Sequence, residues 1–339
     1  MPDPWSASLL LALALALVFN FVNGFHDPSN TVATSIATRA LTLPAALMLG
    51  AAASFAGAFV SHKVAFTMAQ SVAVADFVDA PLLASACAAG IVWNLVTWRQ
   101  GLPTSSTHSL VAGLTGAALA KGWLGGGQAP VEWGWLVTIL LALIISPALG
   151  FVAAYALFTL AARLMGGRGV ATRKPNRMAA RAQVFSAAAM SFANGANDAQ
   201  KTMGLMALAM FHAGALPEFY VPLWVTVSCA LAVSLGMVAG GFRVIRTVAK
   251  KLTGLQPVQG LCAELSSGAV TLGATLAGMP VSTTHVMVSS VVGVGAVKSY
   301  GRAPRVVVLS ILNAWLVTIP ACVLLGAAGY GCLNYLVAS

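Results

Sequence analysis

Two short polar runs each occur twice in this chain, and they hold most of the side chains able to do chemistry. Asn23-Gly24-Phe25-His26-Asp27 in the first half recurs in the second as Asn194-Gly195-Ala196-Asn197-Asp198. Gly101-Leu102-Pro103-Thr104-Ser105-Ser106-Thr107-His108 recurs, in the same order and at nearly the same spacing, as Gly278-Met279-Pro280-Val281-Ser282-Thr283-Thr284-His285. A carboxylate inside an apolar stretch is costly and therefore signals function. Asp27 and Asp198 occupy matching positions beside Asn and Gly. Each can cap a half-helix, whose dipole favours a carboxylate, or contact an ion or substrate; duplication favours contact, and the two roles can coexist. Ser105-Ser106-Thr107 and Ser282-Thr283-Thr284 place three consecutive hydroxyls ahead of a short helix, whose free N–H donors attract anions. Capping needs one hydroxyl, and here there are three in both copies.

Two hydroxyl-rich helix starts facing each other would surround a tetrahedral oxyanion with donors, while two carboxylates would repel it. A cation or proton between them removes the conflict, as does an anion that carries its own proton. Protonated phosphate can donate to a carboxylate; sulfate at neutral pH cannot. The pattern therefore favours phosphate, with binding linked to a co-bound cation, the thermodynamic basis of symport. The copies also differ: His26 stands opposite Asn197, and Asn30 opposite Lys201. His26 can carry a proton or act as a neutral donor at a helix end. Lys201, three residues after Asp198, is spaced for a helical ion pair, with direct anion contact as the lesser alternative. His108 and His285 are expected to orient their loops rather than bind metal. Glu264, preceded by Gln256 and Gln259, is a further candidate cation ligand without a counterpart in the first copy. Ser35, outside both motifs, is expected to matter far less for phosphate binding than Ser105 and Ser282.

The elements that must position these residues follow from composition. Of 339 residues 59% are apolar and only 8% charged, which excludes a disordered chain, a fibre, a disulfide-stapled domain and an ordinary soluble enzyme. The chain reads as an all-α polytopic membrane protein. Stretches near Ser6–Gly24, Leu43–Ser61, Pro81–Trp98, Trp133–Leu164, Ala182–Gly195, Tyr220–Gly240, Gln259–Ala277 and Arg305–Val337 are candidate spans. Shorter apolar pieces at Thr31–Thr38, Ser109–Ala120, Met203–Phe211 and Val286–Val297 each follow polar or Gly/Pro clusters, as broken or re-entrant half-helices do. Lys63–Ala75 and Arg243–Leu255 fit either spans or surface helices. The acids Asp3, Asp76, Asp79, Glu132 and Glu218 fall near segment ends. Cys87, Cys229, Cys262, Cys322 and Cys332 lie in apolar runs without paired spacing, as small buried hydrophobes; they imply neither disulfides nor zinc. The first apolar run lacks a positive leader and reads as a retained span.

The net charge of +10 does not point to nucleic acid, since no aromatics interleave with the bases. Arg163, Arg168, Arg173, Lys174, Arg177 and Arg181 instead cluster between apolar blocks, as in a cytoplasmic loop. A third, weaker repeat pairs Ile144-Ile145-Ser146-Pro147 with Val317-Thr318-Ile319-Pro320. The expected organisation is a transmembrane repeat over 1–165, a basic cytoplasmic linker over 166–181 and a second transmembrane repeat over 182–339. Duplicated halves with broken segments at matching places are the mark of a secondary transporter, usually of inverted topology, with substrate bound at the midplane.

The two Asn-Gly-x-x-Asp runs, the two Pro-x-Ser-[Ser/Thr]-Thr-His runs and Trp93-Asn94-Leu95-Val96-Thr97-Trp98 resemble the inorganic phosphate transporter (Pit) family over nearly the whole chain. The resemblance implies a multi-pass symporter of the inner membrane, embedded in the lipid bilayer, with an inverted repeat and with room for a homodimer. It implies phosphate contact by Asp27, Ser105, Ser106, Thr107, Asp198, Ser282, Thr283 and Thr284, and a cation-facing role for Asn23, Asn194 and Asn197; His26 and Glu264 complete the cation-coupling candidates. His26 with Gln200-Lys201 is most similar to bacterial low-affinity, proton-coupled members, which carry phosphate partly as a neutral divalent-metal complex. Sodium-coupled relatives usually have Asn in both copies, and some relatives move sulfate. The expected cofactors are a co-transported proton, or Na+ in the alternative reading, with no covalent group and no assigned protein-bound metal. Readings from other classes are an intramembrane aspartyl protease built on the two Asp residues and a passive anion channel.

Overall fold

A computed structural model describes residues 5–70, 79–102, 104–127, 131–165, 173–251, 255–297 and 303–338. Asp3, Asp76, Pro103, Arg168 and the linker positions 166–172 lie outside the described residues. The described chain folds into helices α1 (Ala7–Asn23), α2 (Pro28–Thr31), α3 (Ala33–Ala37), α4 (Leu43–Gly57), α5 (Lys63–Gln70), α6 (Ala80–Gln100), α7 (Ser106–Leu124), α8 (Trp133–Leu164), α9 (Arg173–His212), α10 (Leu223–Lys251), α11 (Pro257–Leu276), α12 (Thr283–Ala296) and α13 (Ala303–Ala338). Five stretches among them are long and apolar enough to cross a membrane: Ala7–Thr31, Ala80–Gln100, Leu136–Leu164, Leu223–Phe242 and Leu316–Tyr335. The Arg243–Leu255 stretch continues α10 as far as Lys251, whereas the described part of α5 has 8 residues and the rest of the Lys63–Ala75 stretch lies outside the described residues.

The copies are not broken alike. In the first, α1 stops at Asn23, and the chain passes through His26 and Asp27 into the short α2 and α3. In the second, Asn194 through Asp198 sit inside α9, which runs unbroken from Arg173 to His212, so the separate Met203–Phe211 piece expected from sequence does not exist. The cause is a single residue. Pro28 has no N–H with which to continue the ladder of α1, and its counterpart in the second copy is Ala199. The helix start of α9 also takes up the second part of the basic stretch, from Arg173 onward.

Crosswise packing joins the copies. Helix α1 lies against α10 and α9 against α4, while α7 lies against α13 and α12 against α8. The close approaches occur at glycines. A Cβ at Gly24 would stand 2.2 Å from the Val233 carbonyl oxygen and one at Gly236 1.9 Å from that of Phe21; a Cβ at Gly195 would stand 1.9 Å from the Ser54 carbonyl and one at Gly57 2.0 Å from that of Phe192. Gly24 and Gly195 are counterparts in the repeat, and so are Phe21 and Phe192. Ser54 corresponds to Val233 by the same shift that relates Gly57 to Gly236. The same contact is thus built twice, each time across the halves. Between spanning helices, small residues of this kind let backbones touch, because lipid supplies no hydrophobic drive for association.

Helix α9 is polar at the candidate site residues, and these are nonetheless buried. Asn194, Asn197, Asp198, Gln200 and Lys201 are each at most 3% exposed. Gln200 shows how such a helix satisfies its neighbours: its Oε1 accepts from the Val64 N–H at the start of α5 at 3.1 Å. The Cys residues behave as small hydrophobes except Cys332, which is exposed; all are free.

Candidate transport site

The two hydroxyl runs meet at the centre of the molecule. Each follows a glycine in the left-handed region, Gly101 at φ 68° and Gly278 at φ 78°, which turns the chain out of α6 and α11 respectively. Ser105 caps α7 by accepting from the His108 N–H, and Ser282 caps α12 by accepting from the His285 N–H, both at 3.3 Å. The next hydroxyls reach across the copies. Thr107 Oγ1 donates to the Val281 carbonyl at 3.0 Å, and Thr284 Oγ1 donates to the Thr104 carbonyl at 3.2 Å. The rings of His108 and His285 lie 5.0 Å apart, with His108 Nδ1 2.7 Å from Ser105 Oγ. The histidines thus hold the loops together, and no group of three or more His, Cys, Asp or Glu suited to a metal occurs among the described residues.

The acids converge on the same place. Asp27 and Asp198 interact electrostatically with each other, with Lys201 and, for Asp27, with Asn194 close by. Neither carboxylate acts as a helix cap: Asp27 makes no side-chain cap bond at the start of α2, and Asp198 lies within α9. The capping alternative holds at neither position: Asp27 has helical backbone, and the next N–H groups bond the carbonyls of His26 and Asp27, while Asp198 lies inside the continuous α9. Asn194 lies within reach of the Asp27 carboxylate, while Asn23 Oδ1 and Asn194 Oδ1 are buried without a hydrogen-bond partner among the described residues. Buried polar atoms are almost always paired, so this cluster is where a ligand's own donors or charge would be needed.

Lys201 completes the expected ion pair with Asp198. Its Nζ also donates to Thr107 Oγ1 at 2.5 Å and to the Val281 carbonyl at 3.0 Å. Thr283 Oγ1 donates to Asp198 Oδ2 at 3.4 Å. Asn197 is spent on the loop of the second run: its Nδ2 donates to Thr275 Oγ1 at 2.9 Å and the Met279 carbonyl at 3.2 Å, and its Oδ1 accepts from the Val281 N–H at 3.2 Å. His26 Nε2 lies 3.0 Å from the Asn94 carbonyl, to which it donates, leaving Nδ1 buried and without a partner among the described residues. Ser106 is half-buried at the mouth of the first run.

Glu264 stands apart from this centre, on α11. Thr34, Ser35 and Ser186 all donate to its carboxylate, Ser35 at 2.6 Å. Ser35, remote from both motifs in sequence, is thereby tied to a candidate cation ligand. Nothing in the local pattern shows this contact, since the two residues lie in different halves and only the fold joins them. Asn30 also takes part, beyond its role as a point of difference between the copies; its Nδ2 donates to Thr284 Oγ1 at 2.9 Å. Here the sequence does hold a signal, because Asn30 is the counterpart of Lys201 and Thr284 of Thr107.

Known proteins settle the class. The model of a family described as the phosphate transporter family matches residues 23–326. The chain belongs to the phosphate transporter family. A probable low-affinity inorganic phosphate transporter of Mycobacterium tuberculosis is 40% identical over 97% of this chain and 78% of its own length. A protein of the same description from Bacillus subtilis is 37% identical over 96% of this chain and 97% of its own. A solved structure titled "The sodium-dependent phosphate transporter" superposes with a TM-score of 0.82 at 24% identity, covering 97% of this chain and 100% of that one, and so shares its fold. This phosphate transporter family member is a multi-pass membrane protein and not an enzyme, which disposes of the protease reading of its two Asp residues.

Proposed function

We propose that this chain is a secondary symporter that imports inorganic phosphate with protons. The observation carrying this reading is the crosswise pairing of Thr107 and Thr284 at the point where Asp27, Asp198 and Lys201 converge. Phosphate docks between the two hydroxyl runs, with Ser105, Ser106 and Ser282 as donors, while Thr107, Thr283 and Thr284 become donors by turning their protons from the Val281 carbonyl, Asp198 and the Thr104 carbonyl to the anion. It keeps a proton toward a carboxylate, that of Asp27, whose Oδ2 is buried. That proton requirement ties anion to cation, so each raises the affinity of the other by the same factor. It also argues for phosphate over sulfate. His26, whose Nδ1 is unpaired, Asn23, Asn194 and the hydroxyl-ringed Glu264 form the cation-coupling set; Asn197 joins it by holding the loop. A neutral complex of phosphate with a divalent metal fits the same site as cargo, because it too brings positive charge to the carboxylates.

The inverted relation of the halves is part of this proposal, supported by glycine contacts that recur at matching places across the copies. So are the cytoplasmic side for the basic stretch and the inner membrane as location. Sodium coupling is the second reading, favoured by likeness of fold to a structure whose title names sodium dependence. The test is radiolabelled phosphate uptake into proteoliposomes under separately imposed proton, sodium and divalent-metal gradients. Acceleration by an inward proton gradient without sodium is expected. A strict sodium requirement refutes proton coupling, and uptake that follows phosphate alone makes the protein a passive channel.

A further inference from the structure

We infer that the Lys201 ammonium is a tethered replacement for a co-transported alkali cation. Its Nζ meets three oxygens of three kinds: the Asp198 carboxylate, the Thr107 hydroxyl at 2.5 Å and the Val281 carbonyl at 3.0 Å. Carboxylate, hydroxyl and unwound backbone carbonyl make a hard-oxygen set that suits a small cation, and interrupted transporter helices hold sodium with such carbonyls. Both partners of the ion pair are buried, at 3% and 2% exposure. An ammonium with its three donors so engaged is held by the fold rather than by solvent.

The repeat isolates what Lys201 adds. In one direction Lys201 donates to Thr107, which donates to the Val281 carbonyl. In the other, Asn30 donates to Thr284, which donates to the Thr104 carbonyl. The positions correspond pairwise between the copies, Asn30 to Lys201, Thr107 to Thr284 and Thr104 to Val281. The hydrogen-bond frame is the same, and an amide suffices to complete it. The difference is one positive charge, set beside Asp198 and facing Asp27. The other titratable groups around it are the imidazoles of His108, which interacts with Lys201, and His285 behind it. Of the two carboxylates, Asp198 is thus neutralised by a cation that never leaves the protein, and Asp27 alone remains for charge that travels with phosphate.

This inference rests on the phosphate symport reading but can fail independently of it. Wild type, Lys201→Asn and Lys201→Arg are reconstituted, and phosphate uptake is measured against sodium at clamped pH and zero membrane potential. In detergent, without phosphate, the melting temperature of each is followed against sodium, with choline as the control cation. Wild type and Lys201→Arg should be indifferent to sodium in both assays. Lys201→Asn should be slow without sodium, recover roughly fivefold or more with it, and gain melting temperature as sodium saturates the site. Sodium dependence of wild type, or a Lys201→Asn protein that sodium neither stabilises nor accelerates, overturns the inference. If Lys201→Asn does not transport at all, its sodium-dependent melting alone decides. Should wild type take up no phosphate, the symport reading falls, while the melting comparison still tests the cation site.

Discussion

Thr107 and Thr284 illustrate how much one hydroxyl can do at this site. Each accepts from a residue three positions beyond the Asp of the other copy and donates to a carbonyl of the opposite loop, so each is both a tie between halves and a candidate anion contact. Ser105 and Ser282 have the simpler duty of capping. Replacing both with Ala should remove about 1 kcal/mol per cap and weaken phosphate binding markedly. Thr159→Ala, which removes only a hydroxyl bonded to the Tyr155 carbonyl of its own helix, should leave binding unchanged in an equilibrium assay with labelled phosphate. A different outcome is expected at Glu264. Its three hydroxyl donors form a cage for a charge or a proton, so Glu264→Gln should flatten the response of uptake to the cation gradient more than it lowers phosphate affinity. Equal loss of both would assign Glu264 to the fold alone. Asp27, Asp198 and the hydroxyl runs are legible in the sequence because they are duplicated and sit where charge is expensive. Thr34, Ser35 and Ser186 are not, since hydroxyls are cheap in a helix and only distant folding brings them to one carboxylate.

Among the elements, the paired motifs lead to an expectation of paired breaks, and the structure meets half of it. The first motif interrupts its helix because Pro28 follows Asp27; the second, with Ala199, does not. Reading the proline against its counterpart reveals this, whereas periodicity alone treats both runs as polar interruptions. Pro28→Ala removes the block to α1. Uptake should fall sharply in this variant while the protein still folds, as judged by its elution as a single species in detergent. The glycine contacts are harsher. A Cβ at Gly195 meets the Ser54 carbonyl at 1.9 Å, whereas one at Gly273 meets nothing within 4 Å. Gly195→Leu should therefore cost more than the ~1–3 kcal/mol usual for overpacking and lower the melting temperature by many degrees, while Gly273→Leu stays near wild type. Similar melting of the two variants would remove the glycines from the interface argument.

For the molecule as a whole, composition points to the membrane before any motif is read. It cannot count the crossings. Helix α9 carries the candidate amides, carboxylate and lysine in its buried middle, so only its Ala182–Gly195 part reads as apolar in the sequence and the full helix is not among the stretches apolar enough to span. The same polar residues that mark the site thus hide the element that bears it. Orientation is open to a direct check. With Cys332→Ser removing the exposed thiol, the Arg177→Cys protein should react with an impermeant maleimide in inside-out vesicles and not in intact cells. The reverse labelling pattern would place the basic stretch outside.

Crosswise packing also has a consequence for biosynthesis. Helix α7 finds its main neighbour in α13, the last of the described helices, and α4 finds one in α9. While the ribosome is still making the second copy, the first must wait in the bilayer with the backbones around Gly57 and Gly116, which pack on Phe192 and Val323, still uncovered. A chain ending at Met165 should insert yet be cleared by membrane proteases, and co-expression of the remainder should rescue it. Assembly of this transporter thus waits for the second copy, and quality control has a long interval in which to judge it.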